Sequence, residues 1–181
     1  MTDTLTPSQR HTVMSHIRGK DTKPELLVRR WLWHHGYRYR LNVKGVPGKP
    51  DIVMRKYRTA IFVNGCFWHG HEGCGKFRMP QSNVAFWKSK ITRNRERDRK
   101  NYQLLQDNGW QVLVVWECQL HPKLLENTML QVEVQLQNYF LQTFGPKSVK
   151  YIHLPAEDDT PMAAESAEEY ETTSNSKGQC R

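Results

Sequence analysis

The sequence predicts an α/β fold in which a mixed central β-sheet is flanked by helices on both faces. Two short apolar segments, residues 51–55 and 59–64, are separated by a tight turn and are typical of antiparallel strands. A long helical pattern over residues 84–108 then leads into the near-continuous apolar segment 111–117. Because a strand–helix–strand step joins parallel neighbours, we expect both pairing directions in one sheet.

A helix is predicted to begin after Thr22. The segment Thr22-Lys23-Pro24-Glu25 fits a capping box, with Thr22 as the N-cap and Glu25 as the third helical residue. Gly36 marks the end of this helix. Its apolar residues recur at helical spacing: Leu27, Val28, Trp31 and Leu32.

The remaining elements are assigned from the same patterns. Residues 8–17 favour a short helix, residues 37–43 alternate like a strand, and residues 45–50 form a loop rich in glycine and proline. Gly109 ends the long helix, and residues 122–143 read as a final amphipathic helix.

The composition predicts one folded domain, residues 1–154, followed by an acidic tail. Residues 155–181 are small, polar and acidic, so we expect this segment to be disordered. The sequence contains no run of eighteen apolar residues, so we expect no transmembrane helix. The N-terminus is polar, which argues against export. We therefore expect a cytoplasmic protein that has no membrane partner.

The charge is uneven along the chain and predicts a polyanionic partner. The tail carries seven acidic residues against Lys177 and Arg181. Of 27 basic and 18 acidic residues overall, 25 and 11 therefore remain in residues 1–154, which gives that part a net charge of +14. Such a domain is attracted to polyanions, although charge alone does not separate DNA from RNA or from an anionic membrane.

A zinc site is predicted where the second strand ends. Cys66, His71 and Cys74 have the ligand spacing of tetrahedral zinc, and Cys118, which follows the buried strand 111–117, is the natural fourth ligand. Zinc in a Cys3His set would contribute to folding rather than to chemistry. The alternative is that these are ordinary buried cysteines and a surface histidine.

Asp51 is the first candidate catalytic residue. It follows Pro50 at the start of a strand, as the first half of a divided nuclease signature does, and its carboxylate suits Mg²⁺. The adjacent strand has neither the carboxylate nor the lysine of the second half, so only backbone carbonyls and the amide of Asn64 are available there. Taken alone, Asp51 is most simply a turn aspartate that begins a strand.

Three further residues carry both a catalytic and an ordinary interpretation. His69 lies between zinc ligands, and a carboxylate such as Asp98 can orient an imidazole and support its protonated form. By themselves, His69 is a loop histidine, Asp98 an ion-pair partner within its helix, and Glu25 the capping residue. The basic residues of the long helix can contact phosphates or form a solvated face: Lys88, Lys90, Arg93, Arg95, Arg97, Arg99 and Lys100.

With these motifs the chain resembles the bacterial very-short-patch-repair (Vsr) endonucleases, which nick DNA at thymine–guanine mismatches. The resemblance covers about residues 10–120. It implies a restriction-endonuclease-like fold with a structural zinc. The residues that carry it are Met14, Asp21-Thr22 with Glu25, and segments 47–51, 62–74, 86–87, 96–99 and 109–118.

The resemblance also implies a role for each candidate position. Asp51 and the backbone carbonyl of Val63 would bind catalytic Mg²⁺, His69 supported by Asp98 would act on the attacking water or the phosphate, and Glu25 would lie near the metal waters. Zn²⁺ would be held by Cys66, His71, Cys74 and Cys118. The DNA-binding residues would be Phe67, Trp68 and Trp87 in the major groove and Met14 in the minor groove.

Two positions depart from other family members, which can carry threonine in place of Val63 and histidine in place of Asn64. The resemblance implies a monomer that acts on double-stranded DNA with a T:G mismatch in the bacterial nucleoid, with mismatch-repair proteins as possible partners. Two rival interpretations remain: a zinc-stabilised DNA-binding module without catalysis, and a nuclease of this scaffold acting on another nucleic acid. The aromatic residues also have the alternative of being core side chains.

Overall fold

The computed structural model of the protein describes residues 6, 8–9, 12, 15–16 and 19–145. The predictions for Met14, for most of the helix at residues 8–17 and for the tail 155–181 lie outside these residues. The elements within the described part are helix α1 (Lys23–His34), strands β1 (Ile52–Met54) and β2 (Thr59–Asn64), helix α2 (Val84–Asp107), strand β3 (Gln111–Trp116) and helix α3 (Pro122–Phe144).

The three strands form one mixed sheet in the order β1-β2-β3. β1 and β2 are antiparallel, with Ile52 opposite Ile61, and a short 3-10 turn that ends at Arg58 in the left-handed conformation (φ 45°) joins them. β2 and β3 are parallel because α2 returns the chain to the starting edge of the sheet before β3 begins. The predicted mixed sheet is confirmed.

Apolar side chains alternate between the two faces of this sheet and pack against helices on each side. On one face, Ile61 and Leu113 join the core formed with α1 and α3, where Leu32 and Leu136 are fully buried. On the opposite face, a smaller cluster contains Ala60, Phe62 and Leu105, the last of these from α2. Helices therefore cover both faces, as predicted.

The N-terminus of α1 is capped by the predicted pair of residues, with one difference. The Thr22 hydroxyl accepts the Glu25 N–H at 3.5 Å, as in a capping box. The Glu25 carboxylate reaches one residue further back and accepts the backbone N–H of Asp21 at 3.0 Å. It also accepts Arg29 at 2.7 Å, so the cap is a buried ionic network at the edge of the sheet.

The predicted strand over residues 37–43 is wrong. Only Arg40 pairs with the sheet, through an isolated bridge to Val53. The alternation arises because Tyr37 is buried and Tyr39 is half-buried. The Tyr37 hydroxyl donates to Glu133 at 2.8 Å, and the Tyr39 hydroxyl donates to the Arg29 carbonyl at 3.1 Å. The left-handed conformation of Asn42 (φ 49°) ends the extended segment before a ladder can form. No helix in the described part of the chain is both long and apolar enough to cross a membrane.

Candidate active site and metal centre

Asp51 immediately precedes β1 and is held by the neighbouring strand β2. The backbone N–H of Val63 donates to Asp51 Oδ2 at 2.7 Å. The N–H and carbonyl of one strand residue point to the same side, so the Val63 carbonyl also faces β1. The β1–β2 register places Pro50 opposite Val63, and proline has no N–H to offer that carbonyl. The Asp51 carboxylate and the Val63 carbonyl, two oxygen donors, thus lie near each other where β1 begins beside β2.

The environment of Asp51 disfavours its charge. Burial raises the pKa of Asp51 to about 6; the Glu25 carboxylate adds to the rise, while the Val63 N–H, Arg29 and His69 oppose it. The carboxylate lines a cleft of about 960 Å³. A buried carboxylate beside a backbone carbonyl in an open cleft fits a divalent cation, because the cation supplies the missing countercharge and both donors are hard oxygens.

His69 and Asp98 are brought together across the same cleft. Nδ1 of His69 lies 2.5 Å from Oδ2 of Asp98, which belongs to α2. Burial alone would raise the pKa of Asp98, but the hydrogen bond to His69 and the charges of His69 and Arg97 bring this pKa below its ordinary value. The ionised carboxylate therefore holds the Nδ1–H tautomer, which leaves Nε2 as the free nitrogen of the ring.

Side chains of helix α2 also hydrogen-bond to the backbone of the loop that carries His69. Asn94 donates to the Trp68 carbonyl at 2.9 Å, and Arg95 donates to the carbonyls of His69 (3.4 Å) and Gly70. Arg95 also forms an ion pair with Glu72 at 2.7 Å. A Cβ added to Gly70 (φ 62°) would collide with Arg95, so the close approach of loop and helix requires glycine.

The guanidinium of Arg95 bonds the loop, a role beyond the phosphate contact or solvated face that the sequence suggested. The sequence missed this role and that of Asn94. Helical spacing places both on the same face as Asp98, but it does not reveal which loop that face contacts.

Glu25 lines the cleft that contains Asp51, but its carboxylate already accepts several hydrogen bonds from neighbouring groups. It is only 5% exposed and accepts hydrogen bonds from Arg29, the Thr22 hydroxyl (2.9 Å) and the Asp21 backbone. Its contacts therefore make it a wall of the cleft and an anchor for α1.

The four predicted zinc ligands converge. One ligand atom from each of Cys66, His71, Cys74 and Cys118 lies within 4.8 Å of the others. Nδ1 of His71 is 3.7 Å from the Cys66 sulfur and 3.4 Å from the Cys118 sulfur. Tetrahedral zinc, with bonds of about 2.3 Å to sulfur and about 2.0 Å to nitrogen, requires S···N distances of roughly 3.5 Å. The three thiols and one imidazole thus form a set that fits a closed metal site.

The metal site is supported by the sheet. The ring of His71 stacks on the ring of Trp116, with the ring centres 4.1 Å apart and an angle of 3° between the planes. This contact fixes the orientation of the imidazole and therefore the position of Nδ1. Cys118 lies two residues after the end of β3, and the parallel pairing of Asn64 with Trp116 brings it beside the loop that begins after β2. Burial raises the pKa of the Cys66 thiol to about 12, so the thiolate needs a bound cation to persist there.

Phe67, Trp68 and Trp87 form an aromatic cluster beside the cleft. The Phe67 ring lies 5.2 Å from both Trp68 and Trp87 in edge-on geometry, and the two tryptophans are 6.0 Å apart. All three are half-buried, largely against one another, and Phe86 extends the cluster with 57% of its surface exposed. They lie outside both buried core clusters, which disfavours the interpretation as core residues.

The aromatic cluster adjoins the candidate catalytic groups. Trp68 lines the same cleft as Asp51, His69 and Asp98. The ammonium of Lys90, which also lines the cleft, lies 5.7 Å from the ring centres of Trp68 and Phe86. One concave surface therefore combines the aromatic ring of Trp68, the ammonium of Lys90, the carboxylates of Asp51 and Asp98, and the imidazole of His69.

Comparison with known proteins identifies the family. The family model described as DNA mismatch endonuclease Vsr matches residues 2–76. The chain is 54% identical over 123 residues to the Type II nicking enzyme V.NmeAIP of Neisseria meningitidis, covering 68% of this chain and 87% of that one. It is 41% identical over 120 residues to the DNA mismatch endonuclease Vsr of Escherichia coli, covering 66% and 76%.

A third relative, the Type II nicking enzyme V.XorIIP of Xanthomonas oryzae, is 48% identical over 120 residues, covering 66% of this chain and 88% of its own. These identities extend over most of the relatives' lengths, and the rival interpretation of a module without catalysis is set aside. The mixed sheet, the Cys3His cluster and these relatives together establish that the chain belongs to the Vsr family of DNA endonucleases.

Proposed function

We propose that this endonuclease nicks duplex DNA at T:G mismatches, which arise from deamination of 5-methylcytosine, and thereby starts very short patch repair. The observation that carries the proposal is the shared cleft, in which Asp51, His69 and Trp68 line one surface. A relative is named a DNA mismatch endonuclease and others are named nicking enzymes, which supports both the mismatch and the single-strand cut.

Hydrolysis in this proposal depends on Mg²⁺ held by Asp51 and the Val63 carbonyl. When bound, Mg²⁺ stabilises the charge that develops on the phosphate and activates water. His69 takes a proton at Nε2 from the attacking water, or donates from Nε2 to a phosphate oxygen, while Asp98 fixes the opposite nitrogen. Glu25 closes the wall of the cleft near the metal waters.

Recognition in this proposal uses the aromatic cluster as a wedge. Unstacking a base step costs a few kcal/mol, and the cost is lowest at a mispair, so insertion of Phe67, Trp68 and Trp87 favours a T:G site. The rings are already packed on one another and mounted on the metal loop and α2, so little side-chain freedom is lost on insertion. Met14, outside the described residues, is proposed to approach from the minor groove.

Zn²⁺ is proposed as the ion of the Cys3His cluster, with a structural role. All four positions are protein ligands, which leaves no open coordination site for chemistry. The ion would connect the loop after β2 to the end of β3. Because Phe67, Trp68 and His69 lie between the ligands Cys66 and His71, the ion would also hold these three residues in place. The enzyme is proposed to act as a monomer on the nucleoid in the cytoplasm, with mismatch-repair proteins as candidate partners.

A strand-specific nicking assay tests the proposal. Labelled duplexes that differ only in one T:G or C:G pair are incubated with the zinc-loaded protein, with Mg²⁺ or with EDTA. We expect one nick, in the thymine strand, only with the mismatch and Mg²⁺. Equal cleavage of the paired duplex, or preferential cleavage of RNA or branched DNA in competition, would reject the mismatch function.

A further inference from the structure

Asn64, which lines the cleft of Asp51, donates a hydrogen bond to Tyr102 of α2. We propose that the amide oxygen of Asn64 contacts a water of the divalent ion in the cleft, and that Tyr102 positions this amide. The inference rests on the proposed magnesium-dependent hydrolysis. Asn64 is then a residue of the hydrolytic site, and Tyr102 is a positioning residue that acts through it.

Asn64 is the last residue of β2 and directly follows Val63, whose N–H holds Asp51. It is only 5% exposed, and its Nδ2 donates to the Tyr102 hydroxyl at 3.0 Å. Its amide oxygen accepts no hydrogen bond from the described residues, because the one side-chain bond of Asn64 among them is made by Nδ2. The side chain lines the cleft that contains Asp51 and His69, which places its amide group beside the proposed Mg²⁺ site.

Tyr102 is fixed from two directions and stands behind Asn64. It lies one helical turn after Asp98 on α2, and its ring packs on Phe62 of β2 at 4.9 Å. It does not line the cleft of Asp51. It lines a second cavity of about 580 Å³, whose wall toward that cleft contains Asn64, His69 and Asp98. Tyr102 therefore acts on the cleft through side chains that line it: it accepts a hydrogen bond from Asn64 and packs on Phe62.

The chemistry of an amide explains why it needs a positioning partner. An asparagine presents an acceptor oxygen or a donor NH2 group, depending on how its side chain is turned. By accepting the N–H, the Tyr102 hydroxyl keeps the nitrogen toward α2 and leaves the oxygen for the cleft. An amide oxygen is a hard donor suited to Mg²⁺ and its waters, and it adds no negative charge beside Asp51, whose own charge is already disfavoured.

The test compares Mg²⁺ binding and nicking in Tyr102→Phe, Asn64→Ala and the double variant. Mg²⁺ binding to the zinc-loaded protein is measured by calorimetry, and the Mg²⁺ concentration for half-maximal nicking is measured on the T:G duplex. Loss of one neutral hydrogen bond predicts about a three- to tenfold weaker Mg²⁺ response in Tyr102→Phe. We expect a larger loss in Asn64→Ala and no further loss in the double variant.

Two further variants separate positioning from general destabilisation. Tyr37→Phe removes a phenol that bonds Glu133 at 2.8 Å on the opposite face of the sheet, so its Mg²⁺ response should match the parent. In Asn64→Asp the two oxygens are equivalent acceptors, so adding Tyr102→Phe should no longer change Mg²⁺ binding.

An unchanged Mg²⁺ response in Tyr102→Phe would overturn the inference, as would additive effects of the two single changes. If the parent protein binds Mg²⁺ but does not nick the T:G duplex, the proposed function fails. The calorimetric comparison then still decides the role of Tyr102.

Discussion

His69 Nδ1 and Asp98 Oδ2 lie 2.5 Å apart, which joins the metal-binding loop to helix α2 through a catalytic candidate. The contact fixes which imidazole nitrogen faces the cleft. Because α2 also carries Trp87 near its N-terminus and Asn94 and Arg95 against the loop, one rigid element positions both the wedge and the imidazole. Loss of the His69–Asp98 contact alone, which leaves the aromatic cluster in place, should therefore affect nicking more than DNA affinity.

Asp98→Asn tests this relationship directly. The amide cannot stabilise a protonated imidazole and can favour the wrong tautomer, so we expect the nicking rate to fall about 100-fold or more. DNA affinity, measured by fluorescence anisotropy, should change little. Asp107→Asn is the matched control because Asp107 lies on the same helix, bonds only Gln103 among the described residues, and is exposed. Comparable rate losses in both variants would indicate a general effect on α2.

Asp51→Ala should abolish nicking and preserve binding to the T:G duplex. The change removes the carboxylate of the proposed Mg²⁺ site but leaves the wedge and the basic helix intact. Gel-shift affinity and single-turnover nicking at saturating protein measure the two properties separately. Residual nicking close to the parent rate would mean that the hydrolytic metal is held elsewhere.

Trp68→Ala should weaken mismatch discrimination more than it weakens general DNA affinity. Stacking of a base on an aromatic ring contributes about 1–3 kcal/mol, so we expect roughly a 5- to 160-fold smaller preference for T:G over C:G duplexes. Trp33→Ala is a control because Trp33 is 55% exposed on α1, where Arg38 lies over its ring and Tyr39 contacts it edge-on, away from the cluster. An unchanged ratio of affinities for Trp68→Ala would count against the wedge.

The Cys3His cluster should contain about one zinc per chain by metal analysis. If zinc is present at a hundred times its dissociation constant, it stabilises the fold by about 2.7 kcal/mol. Cys74→Ser or chelation should then lower Tm by roughly 5–11 °C. Calorimetry with and without added zinc measures the change. A folded, untreated preparation free of zinc would reject the assignment.

Removal of residues 155–181 should raise DNA affinity at low salt. The truncation deletes seven acidic residues and two basic ones, so the net charge rises by five. The remaining positive charge attracts DNA more strongly, and the difference should shrink as salt screens it. Anisotropy titrations at two ionic strengths measure both effects. No difference at low salt would mean that the acidic segment does not compete with DNA.

The sequence by itself determined the elements and the ligand set. Strand, helix and strand from residue 59 to 116 follow from local apolar periodicity, and the cysteine and histidine spacing after β2 follows from the short loop that metal binding requires. These features are local, apart from Cys118, which joined the set because it follows the predicted buried strand 111–117. The failure at residues 37–43 has the same origin, because a buried and a half-buried tyrosine, Tyr37 and Tyr39, imitate the alternation of a strand.

Tertiary structure decided which side chains meet across long stretches of chain. Asn64 reaches Tyr102 and Gly70 reaches Arg95 only because α2 crosses the sheet at one angle and β3 pairs with β2 in one register. Helical spacing shows that Arg95, Asp98 and Tyr102 share a face, but it does not show what that face contacts. The partner is set by packing of the whole layer, since each contact depends on how all the neighbouring side chains fill the space between helix and sheet.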